Sequence, residues 1–187
     1  MPPDEAIEND VHDVVRSLPH AETPEETMRV ALEQSHGLRS LQVSQAVKKI
    51  HKTMDEEGDV EGIIGYSEGA MIAASFILDE QRRSRDEGIE PRVKCAVFIS
   101  GWPPIDSNTG LLVLSDETED VIDIPTCHVI GALDQMIHGA MALYNLCDPD
   151  RAELFDHGHG HLVPREERTV KELGQVVRTM IASAKAA

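Results

Sequence analysis

Aromatic residues make up only 3% of this 187-residue chain, with one Trp, two Tyr and three Phe. Its core must therefore be assembled from Val, Ile, Leu, Met and Ala. Basic residues are scarce too: 17 Lys plus Arg stand against 34 Asp plus Glu, a formal charge of -17 at pH 7. A surface of that sign repels phosphate backbones and anionic lipid, which argues against nucleic-acid and membrane-surface binding. Long apolar runs are missing, and stretches such as Cys95 to Ile99 fall far short of a membrane span. The start, Met1-Pro2-Pro3-Asp4-Glu5, has neither the basic residues nor the apolar stretch of a signal peptide. Cys95, Cys127 and Cys147 are odd in number and widely spaced, and read as buried free thiols of a reducing compartment. The cytoplasm is the expected location. What is present in ordinary amounts, 41% hydrophobic and 27% charged residues, is the composition of a folded domain with room for one core.

Residues 1–22 are acidic and proline-containing and are expected to form a flexible segment ahead of one domain over 23–187. Thr23-Pro24-Glu25-Glu26 reads as a helix start, with Thr23 as cap and Pro24 at the first helical position. Met28, Ala31 and Leu32 follow at helical spacing, and a second helix is expected over residues 41–54. The period then changes. Val60 to Tyr66 predicts a buried strand, residues 68–83 a helix, and Val93 to Ser100 and Pro125 to Gly131 two central strands. A helix over 139–147, a strand over 152–156 and a terminal helix over 164–184 complete the pattern. Strands alternating with helices imply an α/β fold around a mostly parallel sheet.

Gly65-Tyr66-Ser67-Glu68-Gly69 fits the G-x-S-x-G pattern directly after a strand and at the opening of a helix. Such a turn projects the Ser67 hydroxyl and brings the Glu68 N–H to the helix N-terminus, where a developing oxyanion would be stabilised. The bland alternative is a plain strand-to-helix turn. A serine nucleophile needs an acid and then a histidine on later loops. Asp134 follows the third strand, with Asp148 and Asp156 as rivals and Asp123 at the wrong end of the strand. His157, His159 and His161 alternate before the last helix, and His161, furthest along, suits a general base. The same three histidines could instead share a zinc ion, although the glycine-rich backbone suits a turn better than a rigid ligand strand. His12, His20, His36 and His51 read as solvated surface residues. Met71, Trp102, Met136 and Leu162 could border an apolar acyl pocket, and each is equally at home as core or rim. No cofactor is expected.

Four ordered segments carry a resemblance. The run EGIIGYSEGAMIAASFI from Glu61, the segment Phe98 to Pro104, IPTCHVIGALD from Ile124, and the loop His157 to Pro164 resemble the fungal family of serine hydrolases, an α/β-hydrolase group. The stretch from His138 to Pro164 is most similar to members found beside polyketide synthases, some of which act as releasing thioesterases. Carried over by position, the resemblance implies Ser67 as nucleophile, Asp134 as acid and His161 as base. It implies a small-molecule acyl ester or thioester as substrate, with a carrier-bound acyl thioester among the candidates. Family members begin with a strand ending in a His-Gly-type loop that supplies a second oxyanion donor, and no apolar strand followed by His-Gly precedes Ser67 here. The strand before Ser67 is therefore expected at a sheet edge, where a homodimer contact or an N-terminal segment would cover it. A hydrolase-like interaction protein with little activity is the competing reading, and a metal-dependent hydrolase the third.

Overall fold

A computed structural model describes residues 21–34, 40–58 and 60–186. The flexible segment expected over 1–22 and His12, His20 and His36 lie essentially outside those residues. Among these residues two helices come first, α1 (Pro24–Gln34) and α2 (Ser40–Glu57). The alternating part follows as β1 (Gly62–Tyr66), α3 (Glu68–Glu87), β2 (Cys95–Ile99), β3 (Thr126–Ile130), α4 (Ile137–Asn145), β4 (Ala152–Asp156) and α5 (Glu167–Ala186). The α1 start is built as its sequence implies: the Glu26 N–H donates to Thr23 Oγ1 at 3.1 Å.

The four strands form one parallel sheet in the order β1-β2-β3-β4. Alternation along β2 and β3 explains how five-residue apolar runs serve two cores. Cys95, Val97, Ile99, Cys127 and Val129 face α5, meeting Leu173, Val176, Val177 and Met180. Ala96 and Phe98 point the other way into a larger core with Phe76 and Ile77 of α3, Val43 and Val47 of α2, and Leu143 of α4. The three cysteines are buried free thiols.

Two expectations need correction. The strand before Ser67 is not buried: Ile64 is 71% and Tyr66 42% exposed. Among the described residues β1 is an edge strand, and α5 packs mainly over β2, β3 and β4. His51 is not solvated either, its side chain being 14% exposed. Its Nε2 lies 2.8 Å from Asp79 Oδ2, Arg92 Nη2 donates to its Nδ1 at 2.8 Å, and its ring packs on Phe76. Its partners come from α3 and the loop after it, so it ties α2 to the rest of the domain.

Candidate active site

The turn between β1 and α3 holds Ser67 at φ 53° and ψ −122°, a conformation costly for a residue with a Cβ. The Ser67 N–H donates to the Ile99 carbonyl at 2.9 Å and so extends the β1–β2 pairing through the turn. Gly65 is required here, because a Cβ on it would collide with the backbone of Gly69 and Ala70. Gly69 has no such constraint: a Cβ there would meet nothing within 4 Å. The two glycines of the motif thus differ, and only the first is needed for close approach. Glu68 opens α3 with its side chain in solvent.

β3 and β4 deliver the other two side chains. Asp134 lies in the loop after β3, its side chain 2% exposed. The Met136 N–H donates to its Oδ1 at 2.8 Å, leaving Oδ2 2.9 Å from His161 Nδ1. On the far side of the ring, His161 Nε2 is 3.0 Å from Ser67 Oγ. Burial disfavours the charge on Asp134, yet hydrogen bonds from His161 and the Met136 amide, with the Ser100 hydroxyl close by, hold its carboxyl below the usual range. An ionised carboxylate only accepts, so Nδ1 carries the imidazole proton and Nε2 is free to accept from the Ser67 hydroxyl.

Neighbouring groups set the loop. Asp156, a rival acid in the sequence, does not face His161. Its Oδ1 accepts the N–H groups of Ala132 at 3.0 Å and Gly158 at 2.7 Å, tying the β3 and β4 loops together. Gly158 has φ 74°, which glycine adopts at no steric cost. The Tyr66 hydroxyl donates to the His161 carbonyl at 3.3 Å. His157 is 8% exposed, and its Nε2 is buried without a hydrogen-bond partner. Burial and the adjacent His159 push its pKa down, favouring the neutral ring. His157 and His159 stack at 5.8 Å, and no group of three or more His, Cys, Asp or Glu among the described residues could hold a metal ion.

A groove of about 480 Å³ is bordered by Tyr66, His159, Leu162, Val163, Pro164 and Arg165, residues that adjoin Ser67 and His161 in the chain. Leu162 is the one of the four candidate pocket residues on its wall. Met71 and Met136 are buried, and Trp102 is half-buried against Gly139, where a Cβ would come within 2.9 Å of its ring. Ser100, the residue directly after β2, is buried near Asp134 and carries no local signature in the sequence. Its positive φ of 45° belongs to the folded chain alone.

The chain is 28% identical to Hydrolase phiM of a fungal species over 74% of its own length and 66% of that protein's. It is 28% identical to Esterase FPY3 of Fusarium mangiferae, over 74% and 65% of the two lengths. Esterase OVCA2 of Bos taurus is 25% identical, over 72% and 56%. The chain therefore spans about half to two thirds of the length of the curated relatives it matches. Among solved structures, a protein from Agrobacterium vitis S4 superposes with a TM-score of 0.53 at 15% identity, covering 74% of this chain and 68% of that one. A fungal esterase from Rhizomucor miehei gives 0.50 at 9% identity, covering 79% and 60%. These likenesses show an α/β-hydrolase fold. The family model for serine hydrolase (FSH1) matches residues 5–173, and the chain belongs to that family.

Proposed function

We propose that this chain is a serine hydrolase of carboxylic esters or thioesters working through Ser67, His161 and Asp134. The observation that carries the reading is the His161 ring, 2.9 Å from Asp134 on one side and 3.0 Å from Ser67 on the other. Ser67 Oγ attacks the acyl carbonyl while His161 Nε2 takes its proton, and Asp134 orients the ring and stabilises the imidazolium. The Glu68 N–H, at the α3 N-terminus, supplies one oxyanion donor. His161 then returns the proton to the leaving alcohol or thiol. Water, activated by the same imidazole, resolves the acyl-enzyme. Leu162 and its neighbours in the groove take the acyl chain, and the likeness of His138–Pro164 to polyketide-associated members favours a thioester, free or carrier-bound.

A fluorophosphonate probe tests this directly. The wild-type chain labels at Ser67 and Ser67→Ala does not, while remaining folded; undiminished labelling of the variant would move the nucleophile elsewhere. The edge position of β1 favours a second feature. We propose that two copies pair along this edge, covering Ile64 and Tyr66, and that turnover by a lone chain is weak with only the Glu68 donor assigned. Removal of one oxyanion donor typically costs on the order of a hundredfold in rate.

A further inference from the structure

Tyr66 is the last residue of β1 and directly precedes Ser67 in the turn. It pairs with Ile99, which faces α5, so its side chain stands on that same face of the sheet. The edge position of β1 leaves it 42% exposed, too open for a core residue. The loop from β4 to α5 crosses this place. Ahead of His161 that loop is fastened by the His157 N–H on the Ile130 carbonyl at 2.9 Å and the Leu133 N–H on the His159 carbonyl at 3.0 Å. At His161 itself Tyr66 takes hold twice. Its hydroxyl donates to the His161 carbonyl at 3.3 Å, and its ring centre lies 5.4 Å from that of the imidazole, with the planes 39° apart. The second contact restrains a motion that the hydrogen bonds of the imidazole leave free. Nδ1 is held by Asp134 and Nε2 by Ser67, and a ring held at two points can still swing about the line between them. A second ring packed beside it opposes that swing.

We propose that Tyr66 is a positioning residue for His161, its hydroxyl holding the base loop and its ring keeping the imidazole in line between Asp134 and Ser67. This rests on the reading of Ser67, His161 and Asp134 given above. The two parts of the side chain have separate duties. The hydroxyl acts on the loop backbone, whereas the ring acts on the imidazole and also borders the groove with Leu162 and Pro164. Tyr66 takes no proton from Ser67; it sets where the group that does so is found.

The test compares Tyr66→Phe and Tyr66→Leu, each alone and combined with His161→Ala, by kcat and KM on 4-nitrophenyl butyrate and by the rate of fluorophosphonate labelling. Tyr66→Phe loses only the hydroxyl, so kcat and labelling should fall roughly fivefold with KM unchanged, the worth of one neutral hydrogen bond. Tyr66→Leu also loses the ring and should fall by roughly a further fivefold, with KM raised because the groove wall has changed. Combined with His161→Ala, neither substitution should slow the residual labelling further. Repeated with Ile64→Glu, which keeps copies from pairing along β1, the losses should be the same. Equal losses with and without His161, losses that vanish with Ile64→Glu, a rise in KM alone, or full kcat in both variants would overturn the proposal. Tyr66→Phe decides it if the leucine variant does not fold. A wild-type chain that neither labels nor hydrolyses would instead overturn the underlying nucleophile reading.

Discussion

The His159 carbonyl lies directly over Gly131, where any Cβ would occupy the space of the His159 and Gly160 backbone. The same carbonyl accepts the Leu133 N–H at 3.0 Å, so the loop carrying His161 is moulded onto the loop carrying Asp134. Gly131→Ala should push these loops apart and lengthen the Asp134–His161 contact. Activity should fall at least about a hundredfold, since displacement of about 1 Å at a reacting centre costs that much. Kinetics alongside a thermal melt check this, and full activity in a folded variant would show that the loops can give way.

His161, rather than its two neighbours, should behave as the base. His161→Ala should lose nearly as much rate as Ser67→Ala, because groups acting as a unit are not additive. His159→Ala should cost little, its side chain being exposed, and His157→Ala should reveal itself in stability more than in kcat. Steady-state kinetics of the three variants decide the matter.

Arg165 borders the groove and, among the described residues, makes no hydrogen bond or ion pair. Its neighbour Glu166 is engaged by the Thr169 hydroxyl at 3.0 Å. In so acidic a chain, an unpaired guanidinium at this place should favour an acyl chain ending in a carboxylate. Arg165→Ala should raise KM for the 4-nitrophenyl monoester of glutaric acid about fivefold, the worth of one exposed charge pair, and leave the neutral butyrate ester unchanged. Equal effects on both esters would remove the charge from the explanation.

His128 is held between the rings of Phe98 and Tyr144, at 5.2 Å from each, and burial pushes its pKa down to about 3. The unfolded chain takes up the proton near pH 6.5 while the folded chain does not, so stability is lost as pH falls below that value. At pH 5 the loss from this group should reach about 2 kcal/mol, before most carboxylates titrate. Urea midpoints at pH 7 and pH 5 should therefore draw together in His128→Gln. His157, also shifted down, leaves part of the acid sensitivity in place.

The β1 edge should make itself felt in solution. Sedimentation at low micromolar concentration should show a dimer, and Ile64→Glu, at a position 71% exposed, should return it to monomer. A wild-type monomer with fast turnover would show that pairing is not needed.

What could be read directly from the sequence was local. Ser67 announces itself because the elbow is one short turn between a strand and a helix, and Gly65 must be small wherever those elements meet. Chain order then marks Asp134 and His161, since parallel strands deliver their following loops to the same end of the sheet. The apolar run Cys95–Ile99 likewise declares a strand covered on both faces. Tertiary structure decided what depends on distant neighbours. Ile64 is as apolar as Val97, yet one is exposed and the other buried, because α5 packs mainly over β2, β3 and β4. His51 is drawn from solvent by Asp79 and Arg92, far along the chain. Asp156 becomes a fastener between the β3 and β4 loops, and Ser100 a buried hydroxyl near Asp134, only once β2, β3 and β4 lie side by side. Local conformation is encoded in adjacent residues, but the cost of burying a charge or a hydroxyl depends on partners that only folding brings within reach.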